Sequence, residues 1–164
     1  GSTRNWTRWI DMAEFRIKST DVIRAVRLRM ARRQQALRNF LPAHLKAATE
    51  INKWVFRNFH AQGGLHDRAS LRWRPLALST REARARHGTW PGQILVVSGA
   101  LRGGFVPNAT RRSGTVENAI PYAIYHEEGG RGDRPPQRKM FPSMTQARDI
   151  VRPIFLEHVK VSIR

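Results

Sequence analysis

Apolar residues recur at helical spacing near both ends of the chain and lose that period in between. Val22, Val26 and Met30 stand four apart, and Leu37, Leu41, Leu45, Ala48, Ile51, Val55 and Phe59 continue at steps of three and four, with Asn52 an alternative to Ile51. That interval keeps side chains on one face of a helix, so a helical region is predicted over 21–60 with a single apolar stripe. Pro42 lacks a backbone N–H and should kink the helix or divide it near Asn39 to Leu41. Ahead of it Trp6, Trp9, Ile10 and Ala13 fit a short amphipathic helix, readable as a docking arm within 1–20 or as packing against the helix pair. At the other end Ser143 is placed to cap a helix over 143–160 carrying Met144, Ala147, Ile150, Val151, Ile154 and Val159, bent at Pro153.

The middle reads differently. Gly63, Gly64, Pro75, Gly88, Pro91 and Gly92 mark a long loop, within which Ser79 or Thr80 could cap a short helix running through Arg86 to Gly88. Ile94 to Val97 is a short apolar run of the strand type. Phe105 to Thr110 and Thr115 to Ala119 flank Arg111-Arg112-Ser113-Gly114, a hairpin whose Ser-Gly pair would supply positive φ. Pro107 assigns its strand to an edge or a bulge. Pro121 opens a helix of about two turns, Tyr122 to Glu128, stopped by Gly129 and Gly130. The predicted class is α+β, one structural domain over 1–164: helices at both ends, a small antiparallel sheet with a hairpin between them, and a short helix.

Charge adds a partner class to this outline. Thirty Lys and Arg stand against twelve Asp and Glu, a formal net charge of +18, which favours polyanions: DNA, an acidic protein surface or an anionic membrane. Arg24, Arg27, Arg29, Arg32, Arg33, Arg38 and Lys46 crowd the polar face of the first helical region, as a solvated surface or as a polyanion contact. The chain has no cysteine, and with it no disulfide, zinc–thiolate cluster or thiol nucleophile. No run approaches the roughly 18 apolar residues of a membrane span, and no signal-peptide apolar region opens the chain, so the expectation is a protein made and kept in a cytoplasm without a membrane partner.

Catalytic signatures are weak. His126-Glu127-Glu128-Gly129-Gly130 begins like a zinc protease motif, but the second His, four residues on, is Gly130. The same three polar residues could form an acid/base cluster, or simply a polar helix end near a subunit contact. No phosphate-cradling glycine loop or nucleophile elbow is present, and Arg131-Gly132-Asp133 is too short to carry meaning. With no helix-turn-helix, zinc finger or RNP-like strand set, any DNA contact should be to phosphates and largely independent of sequence. No enzyme activity, cofactor or metal is expected.

Four segments in order carry a resemblance. Trp73-Arg74-Pro75-Leu76 with Ser79-Thr80, then the run from Ile94 to Arg102, then Ile120 to Gly130, then Arg134 to Phe141 resemble the successive motifs of the phage virion morphogenesis family, the tail-completion or neck proteins of Mu-like contractile-tailed phages. The match spans 73–141. The resemblance implies a non-enzymatic virion protein, assembled in the host cytoplasm as a ring of its own copies, six by implication, at the head-proximal end of a tail. There it would complete or terminate the tail and join tail tube and sheath to the head connector. Trp73, Arg111, Arg112, Tyr122, Tyr125, His126, Glu127, Glu128, Arg138 and Phe141 are the candidate interface or lumen residues. Arg111 and Arg112, at the hairpin tip, would face packaged DNA or form a solvated turn. Tyr122, Ile124 and Tyr125 would pack on the sheet, leaving Glu127 and Glu128 for a neighbour's arginines. The alternative is a sequence-nonspecific DNA-binding accessory protein; a wall hydrolase built on His126 and Glu127 ranks last.

Overall fold

The computed structural model describes residues 19–129 and 135–163. Trp6, Trp9, Ile10, Ala13, the Val22 side chain and the Arg131-Gly132-Asp133 tripeptide lie outside the described residues. Helices α1 (Ser19–Arg38) and α2 (Leu41–His60) are separated where Pro42 predicts a break, and Pro42 sits in the first turn of α2, where its missing N–H costs no helical bond. After a 3-10 turn at Ala69–Leu71 come α3 (Leu78–Arg86), α4 (Ala100–Gly103), the hairpin β1 (Phe105–Ala109) and β2 (Gly114–Asn118), α5 (Ala123–Glu128) and α6 (Met144–Ile163). The class is α+β, with one two-stranded antiparallel sheet.

Helix α2 is the centre of the fold, touching α6 and both strands. Its buried positions are Ala43, Ala47, Ala48, Trp54, Val55, Asn58 and Phe59. The predicted stripe therefore holds from Ala48 to Phe59 and fails before it: Leu37, Leu41 and Leu45 are exposed, and Ala43 and Ala47 take the inner face. Small residues are needed at the start of α2 because the hairpin turn lies against it. A Cβ on Gly114 would stand 2.7 Å from the His44 carbonyl oxygen, and His44 Nδ1 lies 3.1 Å from the Thr110 carbonyl.

The end of α2 forms a Schellman motif, in which the Gly63 N–H donates to the Asn58 carbonyl (2.9 Å) and the Gln62 N–H to that of Phe59 (3.1 Å). Gln62, not a glycine, takes the left-handed position at φ 51°. Its side chain offsets that strain: Nε2 donates to the Phe59 carbonyl and Oε1 accepts from the Ile94 N–H. Gly63, at φ 79°, leaves room for Trp73, whose Cγ would lie 2.3 Å from a Cβ there.

The 94–97 run is not a strand. Leu95 has φ 61°, which breaks extended geometry, and the run turns over the core with Ile94, Leu95 and Val96 half-buried against it. The hairpin also closes differently from expectation. Gly114 does not take positive φ; the Thr110 hydroxyl instead accepts from the Arg112 and Ser113 N–H groups (3.2 and 3.0 Å), and the Thr110 N–H donates to the Ser113 carbonyl at 2.7 Å. Counting pairs back from that bond, Pro107 opposite Val116 falls where its nitrogen points away from β2, so the ladder loses nothing. The outer edge of β1 is blunted as a result: Pro107 offers no donor and the Ala109 N–H is taken by Asn108 Oδ1 at 2.8 Å.

Helix α3 starts at Leu78 with Ala77 before it and no side-chain cap, so neither Ser79 nor Thr80 caps it. Helix α6 is capped as predicted, reciprocally: Gln146 N–H donates to Ser143 Oγ and Ser143 N–H to Gln146 Oε1, both at 3.2 Å. Ser143→Ala is expected to lower stability by about 1 kcal/mol, read as a matching fall in unfolding free energy by urea titration; an unchanged value would contradict the capping role.

The core gathers Trp54, Val55, Phe59, Trp73, Leu101, Phe105, Ala123 and Met140. Phe59 meets Trp73 edge-on at 5.1 Å and Phe105 at 5.9 Å, and Phe105 meets Phe141 at 5.5 Å. A second aromatic group, Phe40, His44, Phe155 and His158, ties the start of α2 to α6.

Candidate functional site

The carbonyl of Lys139 shows how the distant segments are brought together. It accepts from Trp73 Nε1 and His66 Nε2, each at 2.7 Å, and from Asn58 Nδ2 at 3.3 Å. A carbonyl only accepts, so His66 carries its proton on Nε2. These bonds fix the 135–141 segment to α2 and to the Trp73 strip. The same segment closes the C-terminal end of α5, whose last carbonyls have no partner within the helix. Gln137 Nε2 donates to the carbonyls of Glu127 and Glu128 (3.2 and 3.1 Å), and the Arg138 N–H to that of His126 (2.7 Å). Gly129, at φ 72°, permits this approach, since a Cβ there would meet Gln137 at 2.7 Å.

Where these segments meet, a cleft of about 550 Å³ opens between the 74–77 strip, α3, the 95–101 turn and α5. Pro75, Leu76, Leu95, Val97, Leu101 and Pro136 give it apolar walls; Arg74, Arg84, Arg138 and His126 bring nitrogen donors, and Thr80, Ser98 and Tyr122 bring hydroxyls. Among the described residues, no Asp or Glu lines it. Burial, then the Arg138 charge, holds the His126 imidazole below its usual range, so it is neutral at pH 7. Burial and then Arg84 push the Arg138 guanidinium below its ordinary value.

The predicted interface residues divide by environment. Trp73 is a core residue, 7% exposed, and its ring is not presented to a partner; Phe141 is half-buried against Phe105. Glu127 is engaged internally, its Oε2 accepting from the Met140 N–H at 2.6 Å and its Oε1 3.4 Å from Lys139 Nζ. Its carboxylate is thus committed to 139–140 while His126 lines the cleft. Tyr122, Ile124 and Tyr125 do not pack on the sheet: all three are exposed, and Ala123 is the buried residue of α5. Glu128 is exposed. Among the described residues, no group of three His, Cys, Asp or Glu could hold a metal ion, and no helix is long and apolar enough to cross a membrane.

Two features were not foreseen. Arg111 joins Arg32 and Arg38 around a shallow recess of about 430 Å³, which makes one basic patch of the hairpin tip and α1. Arg112 is exposed beside it. Helix α1 also carries Ile23, Val26, Met30 and Leu37 at steps of three, four and seven, all exposed, Val26 by 51% and Met30 by 61%. At about 100° per residue they share one face with Arg33, with Arg29 about 90° around the helix and Leu28 nearly opposite; Leu28, Arg29 and Arg33 share a recess with Val161 and Ser162 of α6.

No protein family, curated protein or solved structure matches the chain.

Proposed function

We propose that this chain is a non-enzymatic structural subunit of a phage virion, forming a ring of its own copies, six by analogy, at the neck or tail end. There it completes or terminates the tail and joins it to the head connector. The observation that carries the assembly part is the α1 stripe: a 20-residue helix that leans on α6 and leaves Ile23, Val26, Met30 and Leu37 in water on one face, with Leu28 exposed on another. Large apolar residues gathered on one exposed helix face mark a protein contact. The order of the four segments supplies the phage assignment. In support, three of those segments are bonded to one another through Trp73, His126, Glu127 and Arg138 to Met140, and Leu101 of the remaining one sits in the same core as Trp73.

If neighbouring sheets join in the ring, they do so through β2, because Pro107 and Asn108 blunt the β1 edge. The basic patch of Arg32, Arg38 and Arg111 suits DNA passing through the ring, or an acidic ring stacked on it. Reversing Arg111 and Arg112 to Glu is expected to leave the fold intact and block infectious-particle assembly; a normal particle yield would contradict the proposal.

The same patch favours a second reading, a DNA-binding accessory protein. That reading expects tight binding to unrelated duplexes, weakening with salt by about 0.9 log units per log unit for each phosphate neutralised, with no ring formed in the absence of DNA.

A further inference from the structure

Arg138 is 5% exposed, yet among the described residues it has no carboxylate partner. Its Nη2 reaches the Arg74 carbonyl at a long 3.4 Å, and its Nε has no partner. His126 Nδ1, on the same cleft, is also buried without a partner. Arg84 adds a second guanidinium, held by the Gln93 carbonyl at 2.9 Å. Buried charges in folded proteins are normally paired, because an unpaired one costs its full desolvation. Here two guanidiniums face a cleft that no Asp or Glu of the described residues lines.

We infer that this cleft receives a carboxylate, carried by an apolar segment of an acidic partner protein, with Arg138 as the deep counter-charge and Arg84 as the second donor. The walls decide the kind of ligand. Pro75, Leu76, Leu95 and Val97 would stay wet under a nucleic-acid backbone, and a duplex cannot reach a side chain that is 95% covered. A Glu or Asp on a narrow stem, flanked by apolar residues, fills both the polar floor and the apolar walls. The volume lies within the roughly 300–1,000 Å³ of ordinary ligand clefts. The inference rests on the assembly reading only for the partner being a protein of the same particle; the site is argued from the cleft itself.

The test uses the full chain with three probes: the capped pentapeptide acetyl-Ala-Leu-Glu-Leu-Ala-amide, its glutamine twin, and inorganic phosphate. Calorimetry gives the affinities, and NMR follows the Arg138 Nε–H and His126 ring signals. The glutamate peptide is expected to bind at least about tenfold more tightly than its twin, the worth of one charge-assisted hydrogen bond, and to move both signals. Arg138→Met is expected to erase that preference while unfolding at the same temperature or higher, since it removes an unpaired buried charge. A merely structural arginine would instead lower the unfolding temperature. Arg84→Gln, at a more accessible position, should reduce the preference and keep the fold, so the test survives if Arg138→Met does not fold. Equal binding of the two peptides, binding of neither, or binding of phosphate alone would each overturn the inference. None of these outcomes depends on whether rings form, so the cleft and the ring proposal can fail separately.

Discussion

Replacing Ile23 and Val26 with Ser and Met30 with Gln is expected to leave the protein folded and to abolish its self-association. The three side chains are about half exposed or more in the single chain, so the fold should lose little: surface changes of this kind cost about 0.5 kcal/mol or less. Burying the exposed half of each in an interface would contribute about 0.8–1.5 kcal/mol, so losing all three should weaken association by about fiftyfold or more. Analytical ultracentrifugation of wild type and variant reads the effect directly, with circular dichroism to check the fold. A variant that assembles like the wild type would remove α1 from the interface. A variant that unfolds would mean that the stripe serves the core.

Trp73→Ala is the largest expected effect on the fold. Removing a buried Trp leaves a cavity worth about 3–5 kcal/mol, a large part of the roughly 5–15 kcal/mol that holds a domain together. The change also removes the Trp73 donor from the Lys139 carbonyl and the ring that packs on Phe59. The unfolding temperature should fall by about 10 °C or more. Because that bond anchors the segment bearing Arg138, amide exchange should also accelerate around 137–140. A thermal midpoint within about 2 °C of wild type, less than 1 kcal/mol on this scale, would show that Trp73 is not the anchor described here.

Much of the fold was legible because its signals are local. Pro42, the Gly129 stop of α5 and the Ser143 cap each act over one helical turn and lie where the sequence predicts, whereas Pro121 falls one residue ahead of the Tyr122 N-cap instead of opening the helix. The hairpin was legible in position but not in chemistry, since the Thr110 hydroxyl closes the turn that Gly114 was expected to close. Ile94 to Val97 shows where local reading stops: a short apolar run fits a strand or a buried turn equally well, and the Gln62 side chain, 32 residues away, settles which. Leu41 and Leu45 continued the stripe in sequence, but the hairpin packed close to His44 leaves that face to alanines.

The cleft was legible only in part. Tyr122, His126 and Arg138 were picked out through the resemblance, whereas Arg74 and Arg84, which complete its donors, lie in a loop and a short helix with nothing local to mark them. Asn58 did carry a signal, a polar residue in register with buried Val55 and Phe59. Its partner, the Lys139 carbonyl 81 residues away, is backbone and leaves no trace in side-chain pattern.

The most direct test of the ring proposal is the mass of the purified protein in solution at moderate and high salt, with and without nuclease. The account predicts discrete closed oligomers, six copies by analogy, that persist after nuclease treatment and in high salt, because apolar contacts rather than DNA hold them. A protein that stays monomeric alone and enlarges only with nucleic acid would contradict it and favour the DNA-binding reading.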